Sequence, residues 1–97
     1  MYVEMRRYDI AEGRLDEFVE RWRNGVLPLR RSWGFTIVGA WSVPESSEFV
    51  WVLGHDTAAS FHEADRTYYE SSERRSMEPN PAELIDLSRK HPAVSVI

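Results

Sequence analysis

Cysteine is absent from the 97 residues, so neither a disulfide framework nor a thiolate metal site is open to this chain. No stretch approaches the roughly 20 apolar residues of a helical membrane span, and membrane insertion drops out. The opening MYVEMRRYDI lacks the apolar run and small-residue cleavage site of a secretory signal, so a cytoplasmic setting is the expectation. Glycine is scarce, at five residues, and no Gly-rich phosphate loop, dinucleotide fingerprint or Ser-His-Asp order occurs. With little room to enclose a nucleotide, the chain points to cofactor-free chemistry. A basic excess is missing too: the formal charge of −4 argues against a protein built around nucleic-acid phosphates.

Hydrophobic residues make up 42% and charged residues 29%, the balance of a globular domain. One domain spanning 1–97 is expected, and a chain this short buries only about two-thirds of its unfolded surface, so partner surface would help it.

Residues 2–10, rich in Tyr, Val and Ile, read as a strand that ends in the turn residues Ala11, Glu12 and Gly13. Leu15, Phe18, Val19, Trp22, Val26 and Leu29 then recur at helical spacing, with a kink or break predicted at Gly25 and Pro28. Phe35–Val43 and Glu48–His55 read as antiparallel strands joined through Pro44–Ser47. Asp56 and Thr57 suit the start of a second helix towards Arg75, with Ala58, Phe61, Ala64 or Asp65, and Tyr68 on one face. A short helix over Ala82–Arg89 and a last strand over Ala93–Ile97 complete the reading.

The order is βαββαβ, an α+β ferredoxin-like arrangement of a four-stranded antiparallel sheet with helices on one face. Alternation puts Tyr2, Glu4, Arg6, Tyr8 and Ile10 on the helix side, with Phe49, Trp51, Leu53 and His55 from the third strand. Val3, Met5, Val50 and Val52, with Val38 and Ala40, fall on the other side. Left wet, that side is an apolar patch, so a sheet-to-sheet homodimer is predicted.

Glu4, Met5, Arg6, Arg7 and Tyr8, followed by Gly13, Leu15 and Phe18, resemble the opening of the NIPSNAP family. Leu27 and Pro28, then Val38, Gly39, Ala40 and Trp41, then a strand ending at His55, Asp56 and Thr57, continue the resemblance to about residue 70. It implies a dimeric α/β barrel. Relatives of that kind include cofactor-independent antibiotic-biosynthesis monooxygenases, heme-degrading enzymes and small isomerases or cyclases, with a ligand pocket between sheet and helices. The chain departs from the expected pattern in its third strand, where Trp51 and His55 stand for a histidine and a tyrosine and Leu53 for a tryptophan.

Glu4 and Arg6 lie about 7 Å apart on one strand face, and Tyr8 extends the row. Beneath a helix such a pair is either a structural ion pair or the polar floor of a pocket, in which Arg6 binds a carboxylate or enolate and Glu4 orients it. His55, before a helix N-terminus, is the candidate general base, against the plainer reading of a packed strand-end histidine. Trp22, Trp41, Trp51, Phe61 and Tyr68 are core residues or the walls of an aromatic substrate cleft. His62 with Glu63 and Asp65 is half of a metal motif that lacks its second histidine, and no metal is predicted. His91, beside Pro92, reads as a loop residue. The Arg30–Arg31 and Arg74–Arg75 pairs read as solvated charge.

Two functions compete: a cofactor-independent enzyme acting on an aromatic or enolisable small molecule, and a non-catalytic interaction or ligand-binding dimer. A cleft above about 300 Å³ holding Glu4, Arg6 and His55 favours the first, and a tightly packed space favours the second.

Overall fold

Alternation in the first strand sets the architecture. In the computed structural model, which describes residues 1–97, β1 (Tyr2–Ile10) buries Glu4, Arg6, Tyr8 and Ile10 and turns Met5 and Arg7 outward. Its antiparallel neighbours are β3 (Glu48–His55) and β4 (Ile85–Ala93), and β2 (Thr36–Val43) pairs with β3. The sheet order is therefore β2-β3-β1-β4, the ferredoxin-like sheet the βαββαβ order implies.

The first helical run stays continuous through Gly25 and Pro28. It is α1 (Leu15–Arg21), a π turn (Trp22–Val26) and α2 (Leu27–Ser32), with the Leu27 N–H donating to the Trp22 carbonyl. Pro28 lacks an N–H and its ring crowds the carbonyl four residues back, and the wider π turn relieves that crowding where a kink or break was predicted. Gly34, at φ +84°, then closes α2 in the left-handed conformation that glycine adopts without a Cβ penalty. The N–H of Phe35 thereby reaches the Arg30 carbonyl at 3.2 Å.

Thr57 caps α3 (Ala58–Glu70) in a reciprocal capping box with Ser60, and the short α4 (Ser72–Arg75) follows an extended Ser71. Phe18, Trp22 and Val26 from the first run and Phe61 from α3 pack with Tyr8, Phe49, Trp51 and Leu53 of the sheet in one core. No helix is long and apolar enough to cross a membrane.

Two expectations are corrected. The helix predicted over Ala82–Arg89 is a 3-10 turn (Pro81–Leu84) followed by β4, and Ala93 ends that strand where the last strand was predicted to begin. Most of β4 is exposed at the sheet edge, so it carries little of the apolar alternation by which a strand is read. Pro92 is tolerated there because an edge strand has a free side.

The second correction concerns Trp41, expected on the helix side. A register shift between Ile37 and Gly39 pairs Ala40 with Trp51 and Trp41 with Val50. The shift exchanges the two faces from that point on, so Ala40 packs on the core and Trp41 is 55% exposed on the open face, its indole over Gly39. The open face thus carries Val3, Met5, Val50, Val52 and Trp41.

Candidate functional site

Arg6 is 1% exposed and its guanidinium is fully engaged. Nε and Nη2 donate to Glu4 Oε1 at 3.2 and 3.0 Å, Nη2 to Asp65 Oδ1 at 3.1 Å, and Nη1 to the Tyr69 hydroxyl at 3.2 Å. Burial disfavours its charge, but Tyr69, Asp65, Tyr8 and Glu4 outweigh that and hold its pKa above the ordinary range. The strand spacing that made Glu4 and Arg6 neighbours thus yields a buried ion pair. It is completed by an acid and a phenol from α3, where Asp65 and Tyr69 stand one helical turn apart.

Asp65 has a second partner, Arg30 of α2, whose Nη1 donates to the same Oδ1 at 2.6 Å. Arg30 was read as solvated charge, yet it is 1% exposed, with its guanidinium carbon 3.7 Å from the Tyr68 ring and 4.8 Å from that of Phe35. Burial raises the pKa of Asp65, and the pull of Arg6 and Arg30 exceeds it, so the carboxyl lies below its usual range.

Beside this network lies a cavity of about 110 Å³ between the sheet and the helical layer. Tyr8 and Trp51 form its floor, Trp22 and Val26 of the π turn and Arg30 one wall, Tyr68 and Tyr69 another, and Arg74, Ser88 and Lys90 its rim. Trp51 Nε1 donates to the Tyr8 hydroxyl at 3.1 Å, which leaves the Tyr8 proton free to be donated in turn. Burial foremost pushes Tyr8 up to about 12, and burial raises Tyr68 as well, so both phenols stay protonated donors at neutral pH. Three polar atoms of the residues around it, Trp22 Nε1, Arg30 Nε and the Tyr68 hydroxyl, are buried with no hydrogen-bond partner and present no surface to the cavity.

Of the residues predicted from sequence, Tyr8, Trp22, Trp51 and Tyr68 meet at the cavity. Glu4 and Arg6 stand behind it, linked through Asp65 and Tyr69, and do not line it. Phe61 is buried in the core, edge-on to Tyr2 at 5.0 Å. His55 lies elsewhere: it pairs with Tyr2, about 13 Å along the strand from Trp51, and its Nδ1 shares a 2.7 Å hydrogen bond with Ser60 of the α3 capping box. Trp41 is on the opposite face of the sheet. His62 is exposed, its ring tilted against that of Tyr2 at 5.4 Å between centroids. The space is smaller than the 300 Å³ expected of a roomy pocket. A larger groove of about 340 Å³ lies outside the helices among Glu17, Glu20, Asn24 and Glu78 and holds none of these residues.

No role in the site was read from the sequence for Arg30, Asp65, Tyr69 or Lys90. The spacing Trp22, Val26, Arg30 continues the apolar stripe of the first helix, and Phe61, Asp65, Tyr68 that of α3, so a charge on each stripe was the available signal. Ser88 was hidden by the helix expected over Ala82–Arg89 and Lys90 by the break expected after it; as strand residues paired with Tyr8 and Arg6 they face the site.

An unpartnered hydroxyl destabilises the protein that holds it. Tyr68→Phe is therefore expected to stabilise the ligand-free protein by about 1 kcal/mol, read as a higher thermal midpoint, and a fall would mean that the hydroxyl is satisfied within the fold.

The NIPSNAP family profile matches residues 3–86. The fold is similar to that of an uncharacterised NIPSNAP-domain protein from Burkholderia xenovorans, at 18% identity and TM-score 0.87, covering 98% of this chain and 94% of that one. A NIPSNAP protein from Agrobacterium tumefaciens is similar at 18% identity and TM-score 0.87, covering 96% and 90% of the two chains. A Nitrosomonas europaea protein named only provisionally as an antibiotic biosynthesis monooxygenase is similar in fold at 13% identity and TM-score 0.72, over 100% of both chains. No protein of curated function matches the sequence.

Proposed function

The chain belongs to the NIPSNAP family, and from that premise we propose that it binds a small enolisable or phenolic molecule in the cavity between sheet and helices and stabilises negative charge on its oxygen. The observation that carries this is the Tyr8 hydroxyl at the cavity floor, which accepts from Trp51 and keeps its own proton free for a ligand oxygen, with the cations Arg30, Arg74 and Lys90 around the space and no carboxylate. Convergent donors held by a rigid fold stabilise an enolate or phenolate without reorganising, the task of cofactor-independent monooxygenases, isomerases and cyclases. In this reading Arg6 and Glu4 act through Asp65 by holding Arg30 in place. The cavity is smaller than the roughly 150 Å³ that holds benzene, so a ring enters it only in part, with the rest of the molecule in the open mouth.

The second reading, a ligand-binding dimer without catalysis, is favoured by the size of the space, well below about 300 Å³, and by the absence of Glu4, Arg6 and His55 from its lining. No carboxylate or imidazole lines the cavity, so an abstracted proton has no ordinary acceptor there. In either reading the open sheet face pairs with the same face of a second copy, which covers Met5, Trp41, Val50 and Val52.

Native mass spectrometry of the protein purified from its host tests these proposals together. A dimer retaining an aromatic or enolisable compound, and losing it when Arg30 is replaced by Met, is the expected result. A monomer at micromolar concentration defeats the dimer, and retention unchanged by Arg30→Met defeats the cavity reading.

A further inference from the structure

The cavity wall carries three cations, Arg30, Arg74 and Lys90, and no carboxylate, in a chain whose net charge is −4. These cations are not equivalent. Arg30 lies deep and is neutralised by Asp65 at 2.6 Å. Arg74 and Lys90 sit at the rim, and neither is paired with a carboxylate. The only side-chain hydrogen bond of Arg74 is a long one, 3.4 Å, to Asn80 Oδ1. All three cations flank one ring: Arg30, Arg74 and Lys90 lie 5.1, 5.8 and 5.4 Å from that of Tyr69.

Uncompensated positive charge is thus at the mouth, where a bound anion keeps part of its hydration. The deep end offers hydrogen-bond donors without net charge, which suit a neutral oxygen and would not repay the full desolvation of a carboxylate. Resting on the cavity reading above, we infer that the ligand is a small organic acid with a second oxygen about one aromatic ring away. Its carboxylate lies at Arg74 and Lys90, and its keto or hydroxyl oxygen at the Tyr8 hydroxyl on the cavity floor, beside the Trp22 indole. A keto acid or a hydroxylated aromatic acid has this shape, and in both the inner oxygen is the one that takes up charge on enolisation or ionisation.

The test uses the full chain and three probes of nearly equal shape: 4-hydroxybenzoate, the neutral 4-hydroxybenzamide, and benzoate, which lacks the inner oxygen. The readout is the Trp22 indole N–H in proton–nitrogen correlation spectra, identified by its loss in Trp22→Phe. The hydroxy acid is expected to shift that resonance at millimolar concentration and to bind about tenfold more tightly than the amide, the sum expected of two partly exposed charge contacts. Added salt narrows the gap, and an Arg74→Gln/Lys90→Gln variant closes it while still binding the amide. Benzoate is expected to bind more weakly than the hydroxy acid. Equal binding of acid and amide, or a preference that survives the double variant, overturns the acid assignment and leaves the cavity reading standing. Equal binding of benzoate and the hydroxy acid overturns the placement of the inner oxygen. If none of the probes moves the Trp22 resonance, the acid assignment and the cavity reading fall together.

Discussion

Replacing Asp65 with alanine is expected to destabilise the protein by about 3 kcal/mol at neutral pH. Arg6 and Arg30 meet on one oxygen of this carboxylate, and each is 1% exposed. Without it Arg6 keeps Glu4, but Arg30 is left as a buried charge with no acid partner. The expected loss sits at the lower end of the range for broken buried pairs because the Asp65 side chain is 20% exposed, so water can enter where it stood. For a domain of this size that lowers the thermal midpoint by upwards of about 12 °C. Adding Arg30→Met to the alanine variant should recover most of the loss, since an apolar side chain of similar volume removes the stranded charge. A double variant no more stable than Asp65→Ala would show that the carboxylate matters for some reason other than neutralising Arg30.

The same network fixes the sign of one pH effect. The folded-state pKa of Asp65 is held below its unfolded value, so its contribution is present above about pH 4 and is lost as pH falls through the lower folded value. Asp65→Asn should flatten this part of the acid limb in denaturation curves. An unchanged acid limb would assign it to other carboxylates.

Val52→Glu is expected to raise the dissociation constant of the proposed dimer more than a hundredfold, leaving a folded monomer at micromolar concentration by light scattering. Val52 pairs with Met5 on the open sheet face, and Met5 is 40% exposed in the single chain. Two-fold pairing of this face brings each substitution in twice, and each buries an unpaired carboxylate at a cost of several kcal/mol. In the monomer that carboxylate faces water, so the fold tolerates it. If the variant remains dimeric, the subunits associate through some other surface.

The local chemistry of β1 and β3 was legible in the sequence because a strand has period two. Once Tyr8 and Trp51 were placed on the helix side, Glu4, Arg6 and Leu53 had to follow. Trp22 could be read from the 3.6-residue stripe in the same way, and Thr57 from its capping chemistry. Those periodicities, with the order of elements, determined the topology and the polar row on β1.

What only the tertiary structure decided lies where no local period operates. One register shift in β2 moved Trp41 to the open face, because displacement by one residue exchanges the two sides of a strand. Edge pairing made a strand of Ile85–Ala93, whose exposed polar residues carry no apolar signature, and so brought Lys90 to the rim. Asp65, Arg6 and Arg30 come from three elements spread over 59 residues of sequence, and their shared hydrogen bonds exist only when the helices close on the sheet. The residues that line a cavity are chosen by which surfaces fail to touch, a property of the packed layers that no single segment of the chain encodes.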